Sequence, residues 1–272
     1  MLEWATDYFE KKKIPSPRLS IEWLLAHVLE SKRLDLYLQF DRPLSREELD
    51  RLKPLVLRRA DNEPLQYITG YTDFYNITLH VNRSVLIPRP ETEQLVDIIL
   101  QAHTDDQPCK VLDIGTGSGC IALALKKARP SWQITGIDIS VDALETARQN
   151  AVDLELDATF LHADLESYLP DSLFNIIVSN PPYITKEDIP ELTDQVYLHE
   201  PEIALVADDV PSVYRSLITL CNHSLIPTGT FYLEINEVHG DKLLKICNKD
   251  PFRCRLLKDY SGKDRFIKGN FN

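Results

Sequence analysis

The amino-acid sequence predicts an α/β protein, an open and mostly parallel sheet with helices on both faces, preceded by a separate helical segment. Three observations predict it. Strand-like and helix-like stretches alternate with short loops from about residue 108 onward, which is the pattern of a parallel sheet. A glycine-rich loop, Gly115-Thr-Gly-Ser-Gly119, stands between a strand pattern and a helix pattern, where such a sheet keeps its ligand loop. Before residue 71 the apolar residues follow a helical period, and after it they alternate. The 272 residues suit one large domain or two modest ones, with boundaries expected at 1–70, 71–87 and 88–272.

Each element follows from its residues. Leu19, Trp23, Leu24, Val28 and Leu29 recur at helical spacing, and Ser45 with Glu48 forms a capping-box pattern ahead of Leu49, Leu52, Leu55 and Val56. Pro54 is expected to kink or shorten that second helix. Together these stripes read as the core of a small helical bundle. Ile77, Leu79 and Val81 alternate with Thr78 and His80 as a strand does, and the aromatic-rich stretch 71–76 reads as a turn, so a hairpin linker is expected. Pro90 suits a first helical position, and Glu91 and Glu93 suit the positive end of the helix dipole; Leu95, Val96, Ile98 and Ile99 supply the apolar face. Strands are then expected at 111–114, 133–137, 159–162, 174–179, 230–235, 253–258 and 264–269. Helices are expected at 121–128, 141–152, 213–225 and 237–248.

Composition narrows the function classes. Hydrophobic residues make up 43% and charged residues 26%, which excludes a largely disordered chain. No apolar run reaches the ~18 residues of a membrane span, and no secretory signal is read at the start. Five cysteines, an odd number with no Cys-x-x-Cys pair, argue against a disulfide framework or a structural zinc site, so no metal is expected and a reducing cytoplasm fits best. The net charge is −12, all of it carried by residues 71–272, because the first 70 residues balance. So acidic a catalytic half is a poor match for nucleic acid, whose affinity rests on neutralising phosphates.

Two motifs carry the chemistry. The loop Gly115, Thr116, Gly117, Ser118 and Gly119 brings bare backbone close to a ligand, and Asp138 closes the next strand, where a carboxylate can accept from both hydroxyls of an adenosine ribose. The glycines do not follow the Gly-x-Gly-x-x-Gly spacing of dinucleotide enzymes, and Asp113 ahead of the loop would oppose a pyrophosphate. A cationic cofactor, S-adenosylmethionine, is favoured over NAD on the sign of the charge. Asn180-Pro-Pro-Tyr183 follows an apolar strand. Both prolines stiffen the turn. The Asn180 side-chain oxygen and a carbonyl of the Pro-Pro segment, that of Pro181 first, can accept the two hydrogens of a planar –NH2 group while Tyr183 offers a ring face. Such acceptors strengthen as positive charge builds on a nitrogen under attack on a methyl group, so no general base is needed before transfer.

These motifs, Gly115 to Gly119, Asp138 and Asn180 to Tyr183, resemble those of class I S-adenosylmethionine-dependent amino-methyltransferases. Pro64-Leu-Gln-Tyr-Ile-Thr-Gly70, Val85-Leu-Ile-Pro-Arg-Pro-Glu-Thr-Glu93 and Asp259-Tyr-Ser-Gly-Lys-Asp-Arg265 are similar to the HemK/PrmC family, the release factor glutamine methyltransferases, over nearly the whole chain. The resemblance implies an N-terminal helical bundle, a β-hairpin linker and a Rossmann-like seven-stranded methyltransferase domain. It implies methylation of the glutamine amide nitrogen in the Gly-Gly-Gln loop of class 1 peptide chain release factors, with the bundle touching the factor. By carry-over, Gly115 to Gly119 and Asp138 hold the cofactor, Asp164 and Leu165 its adenine, and Asn180, Pro181, Pro182 and Tyr183 the glutamine, with Asn180 also beside the cofactor. Arg89 and Glu91 belong to the signature segment, with no role assigned. The chain departs from the family at 206–212, which lacks the usual glycine-bearing turn. Rival readings are a ribosomal-protein glutamine methyltransferase, a nucleic-acid amino-methyltransferase disfavoured by the charge, a non-catalytic adaptor and an NAD-dependent dehydrogenase. A monomer is expected, with no membrane partner.

Overall fold

A computed structural model describes residues 1–39, 41–104 and 107–272. In chain order the helices and strands are α1 (Leu2–Lys11), α2 (Pro17–Val28), α3 (Arg46–Ala60), α4 (Leu65–Thr69), β1 (Tyr71–Phe74), β2 (Ile77–His80), α5 (Pro90–Ala102), β3 (Lys110–Ile114), α6 (Cys120–Ala128), β4 (Gln133–Asp138), α7 (Val141–Asp153), β5 (Thr159–His162), β6 (Phe174–Ser179), α8 (Asp194–His199), α9 (Glu202–Leu205), α10 (Val210–Ser224), β7 (Leu225–Glu234), α11 (Gly240–Cys247), β8 (Phe252–Lys258) and β9 (Asp264–Phe271). Two compact units result, one of residues 1–71 with 192–199, the other of 72–191 with 200–272.

The first unit is helical. Ala5 and Phe9 of α1, Ile21, Leu24, Leu25 and Val28 of α2, and Leu52 and Val56 of α3 form its core. Leu24 and Val28 are buried as expected, whereas Leu19 and Trp23 are exposed: Ile21 and Leu25 complete the buried stripe in their place. The capping box forms as expected, with Ser45 Oγ accepting from Glu48 N at 3.1 Å and Glu48 Oε2 accepting from Ser45 N at 2.8 Å. Pro54 does not end its helix, which continues to Ala60. Arg59, 3% exposed, donates to Gln195 Oε1 at 2.9 Å and ties α8 to this unit.

The second unit holds a two-stranded sheet, β1–β2, and a seven-stranded sheet in the order β5-β4-β3-β6-β7-β9-β8. Only Tyr75 and Asn76 turn between β1 and β2; the stretch expected to turn is itself strand up to Phe74. Strands β5, β4, β3, β6 and β7 run parallel, and β9 pairs antiparallel with β7 and β8. The central strands are apolar on both faces because both faces are covered. Val111, Ile176 and Val178 pack with α5, α6 and α7, while Leu112, Ile177 and Leu233 pack with α10 and α11. The chain winds outward from β3 through β4 to β5, then returns to lay β6 on the other side of β3. That reversal opens a crevice outside the carboxyl ends of β3 and β6.

Candidate cofactor and substrate site

A cavity of about 410 Å³ occupies that crevice. Its floor comes from the turns that leave four parallel strands: residues 114–118 after β3, 137–140 after β4, 163–166 after β5 and 179–182 after β6. Pro88, Arg89 and Thr92 wall one side, and Val213, Ser216 and Leu217 of α10 wall another. The structure thus brings Gly115, Thr116, Gly117, Ser118, Asp138, Asp164, Leu165, Asn180, Pro181 and Pro182 around one space. Gly119 and Tyr183 do not line it.

The glycine loop is a bare-backbone cradle. Gly115 and Gly117 take φ of +67° and +55°, and a Cβ at either would meet nothing within 4 Å. A side chain there is opposed by backbone strain and would project into open space. Gly119 instead packs inward, near Leu123, Phe160 and Ala147. Asp138 organises the loop: its Oδ2 accepts from Gly117 N and its Oδ1 from Ser140 N, both at 2.9 Å. Burial raises the Asp138 carboxyl above its usual range, and these two N–H donors pull it back. Ser118, on the cavity wall, keeps its hydroxyl buried without a protein partner.

Asp113 does something other than the sequence suggests. It is 1% exposed, accepts from Thr116 Oγ1 at 2.7 Å and Ala122 N at 3.3 Å, and stands behind the loop rather than on the cavity wall. Burial pushes it up to about 7. The wall itself carries the acidic sign, through Asp138, Asp164 and Glu166 against Arg89. Arg89 is already spent on Glu200 at 2.7 Å, and the other oxygen of that buried carboxylate accepts from Ile87 N at 3.3 Å. A bare-backbone cradle, a strand-end carboxylate and an acidic wall fit a cationic adenosine cofactor.

Also on the cavity wall, Asn180 donates through Nδ2 to Thr92 Oγ1 at 3.0 Å, and Thr92 donates to Glu234 Oε2 at 2.8 Å. Tyr183 donates its hydroxyl to Glu234 Oε1 at 3.3 Å. Burial first, then the Glu234 charge, raises the Tyr183 phenol, so it stays protonated. The glycine-free segment 206–212 needs no left-handed residue: none of its residues has positive φ, and Ala207 N bonds to Ile184 O at 2.9 Å.

Sequence reasoning missed Thr92, Glu200 and Glu234. The signal for Glu234 was present, because it is a lone carboxylate inside the apolar run Phe231-Tyr-Leu-Glu-Ile235. It is 1% exposed, and burial pushes it up to about 7. The native value lies above that of an unfolded Glu, so the stability it contributes is complete below the unfolded value and is lost as the pH rises through 7. Between pH 5 and pH 8 that loss is about 2–3 kcal/mol. The urea midpoint of the wild type is expected to fall over this range, and that of Glu234→Gln to fall less. Equal falls in the two proteins would remove Glu234 as the source.

Comparison with known proteins gives two family-model matches, the PrmC N-terminal domain over residues 1–70 and the methyltransferase small domain over residues 92–208. The chain is 39% identical to the release factor glutamine methyltransferase of Leptospira interrogans, covering 98% of this chain and 96% of that one. It is also 39% identical to that of Rhodopirellula baltica (98% and 94%) and 38% identical to that of Geobacter sulfurreducens (99% and 95%). Among solved structures, the ribosomal protein L11 methylase of Lactobacillus delbrueckii matches with a TM-score of 0.53 at 20% identity, over 71% of this chain and 85% of that one. The 16S rRNA N2 G1207 methyltransferase of Thermus thermophilus, in complex with AdoMet and guanosine, matches with a TM-score of 0.53 at 17% identity, over 74% and 50%. These two likenesses are of fold.

Proposed function

Because the chain belongs to the release factor glutamine methyltransferase family, we propose that it methylates the side-chain amide nitrogen of the Gly-Gly-Gln glutamine in class 1 peptide chain release factors, using S-adenosylmethionine. The observation that carries this reading is the Asn180 carboxamide held on the wall of an acidic, glycine-cradled cavity by its own N–H donor.

Gly115, Thr116, Gly117, Ser118 and Gly119 form the cofactor loop, Asp138 holds the ribose, and Asp164 with Leu165 faces the adenine. S-adenosylmethionine supplies an electrophilic methyl group. The chain's own residues do the rest. Asn180 Oδ1 and the Pro181 carbonyl accept the two hydrogens of the glutamine –NH2, and the rigid Pro181-Pro182 turn keeps these acceptors from reorienting as charge develops. Pro182 and Tyr183 complete the glutamine site; Tyr183 shapes it through Glu234. A carboxamide nitrogen is a weak nucleophile, so orientation supplies much of the acceleration. Its proton becomes acidic only after transfer, and no lysine or histidine is needed beside Asn180.

Residues 1–70 are assigned to recognition of the factor, 71–87 to a linker and 88–272 to transfer. The exposed Trp4 and Trp23 of the helical unit support a protein-facing role, since exposed aromatics are enriched where proteins meet. The enzyme is read as a cytoplasmic monomer that does not itself bind nucleic acid. Incubation of the chain with a purified class 1 release factor and methyl-labelled cofactor, followed by peptide mass mapping, tests the assignment. The label is expected on the Gly-Gly-Gln glutamine; a label on another residue, or on a ribosomal protein in preference, would overturn it.

A further inference from the structure

Glu234 closes β7 beside the end of β6, where Leu233 pairs with Ser179. Thr92 lies in the first turn of α5 and is 2% exposed. The two are hydrogen-bonded to each other, and Thr92 is the partner of the Asn180 carboxamide N–H.

The direction of their hydrogen bonds follows from proton counting. A carboxylate has no proton, so Thr92 must donate to Glu234. A hydroxyl has a single proton, and once it is committed only lone pairs remain to face Asn180. Asn180 must therefore turn its N–H toward Thr92, as it does at 3.0 Å, and its Oδ1 the other way. The opposite carboxamide orientation would set oxygen against oxygen at Thr92. It would also offer an –NH2 group to the substrate's –NH2, donor against donor.

We propose that Thr92 is a positioning residue for methyl transfer: its hydroxyl, committed to the Glu234 carboxylate, fixes which end of the Asn180 carboxamide faces the substrate nitrogen. This rests on Asn180 being the acceptor for the glutamine amide, the reading given under Proposed function. It also gives the Pro90-Glu-Thr-Glu93 segment a task in the reaction, since Thr92 is its only hydroxyl.

The relay depends on the charge of Glu234. Facing that carboxylate are Thr92 and Glu91 from α5, Tyr183 from the turn after β6 and Arg265 from β9. Cys120 of α6 and Tyr214 of α10, which donates to the Glu234 backbone oxygen at 2.6 Å, also lie within its field. Burial and Glu91 favour the neutral acid, whereas Thr92, Arg265 and Tyr183 favour the carboxylate. The balance stands at about 7. Once protonated, Glu234 can itself donate to Thr92, the Thr92 proton is free to turn to Asn180, and both orientations of the carboxamide become accessible. Proper orientation is thus kept above about pH 7 and lost below it.

The test compares wild type, Thr92→Val and Thr92→Ser, with release factor as methyl acceptor from pH 6 to 8.5, and measures the affinity of each for S-adenosylhomocysteine by calorimetry. Valine keeps the shape of threonine and removes the hydroxyl; serine keeps the hydroxyl. Thr92→Val is expected to lower kcat about 10- to 30-fold, the loss of one oriented hydrogen bond, with product affinity unchanged as the check on folding. Thr92→Ser is expected to restore most of the rate. The wild type is expected to lose kcat/KM on the acid side of about pH 7, and Thr92→Val to lack that acid limb. A Thr92→Val enzyme with wild-type kcat, a serine variant as slow as valine, or an acid limb that persists without the hydroxyl would each overturn the proposal. A wild type that labels no release factor would instead fail the proposed function itself, and the positioning role with it.

Discussion

Asn180→Ala is expected to abolish most methyl transfer, lowering kcat by about 100-fold, or ~3 kcal/mol, while S-adenosylhomocysteine binds within about threefold of wild type. The size follows from when the interaction matters. A hydrogen bond of equal strength in ground and transition states changes KM alone, whereas an acceptor that tightens as the nitrogen gains positive charge changes kcat. Oriented dipoles in a site closed to water are worth more than the ~1 kcal/mol of an ordinary hydrogen bond. Alanine also leaves Thr92 Oγ1 without the donor it now has at 3.0 Å. Asn180→Asp separates this account from simple loss of shape. It keeps an acceptor but places a carboxylate beside a hydroxyl already committed to Glu234, so it should be as slow as alanine. Single-turnover measurement with release factor, alongside calorimetry, reads both quantities. Wild-type turnover in either variant would refute the clamp.

Asp138→Ala is expected to weaken S-adenosylmethionine binding by about 100-fold, because two hydrogen bonds to a charged acceptor are worth ~1.5–3 kcal/mol each and part of that is recovered by solvent. The same carboxylate holds Gly117 N and Ser140 N, so its removal loosens the cradle as well as the proposed ribose contact. Asp138→Asn divides the two contributions. Its one remaining acceptor oxygen can serve the backbone or the ribose, and its –NH2 group opposes whichever donor it meets, so binding should fall by a similar amount while the fold is retained. Calorimetry with the cofactor, and a far-ultraviolet spectrum to confirm the fold, decides it. An unchanged dissociation constant for the alanine variant would remove Asp138 from the ribose site.

The sheet was legible because its signals are local. Apolar runs of strand length separated by helical periods place β3, α6, β4, α7 and β6 within a residue or two of where they lie. Where local signals conflict with tertiary pairing, the sequence misleads. The strand expected at 230–235 begins five residues earlier: β7 runs from Leu225 through Pro227 and Gly229 to Glu234, and its pairing with β6 slips between Phe174 and Ile176. That irregularity extends the strand backward, so the preceding helix closes at Ser224, one residue before the expected end, although it begins at Val210, three residues ahead of the expected start. Trp23 reads as core because it recurs at helical spacing with Leu19, yet it is 45% exposed; periodicity identifies a face only when the whole stripe is weighed. In the site, the cradle and the Asn180 turn were legible as contiguous motifs. Thr92 and Glu234 were not, since 142 residues separate them and the packing of α5 against β7 brings them together. Asp113 was legible as an acid but not as a buried one.

The bridge between Ile184 and Val206 gives the stretch that follows Tyr183 a topological character of its own. With Ile184 N bonded to Leu205 O at 3.0 Å and Ala207 N to Ile184 O at 2.9 Å, residues 185–205 form a detour whose two feet are stapled together directly after the Asn180–Tyr183 turn. A chain excursion closed at its neck can grow or shrink at little entropic cost, since closure depends only logarithmically on length. Its outer bend includes α8, which belongs to the helical unit and is held there through Gln195; the stretch 186–191 ahead of it can change length without opening the staple. Variation for new protein surfaces and constancy for one chemical step can thus share a single stretch of polypeptide.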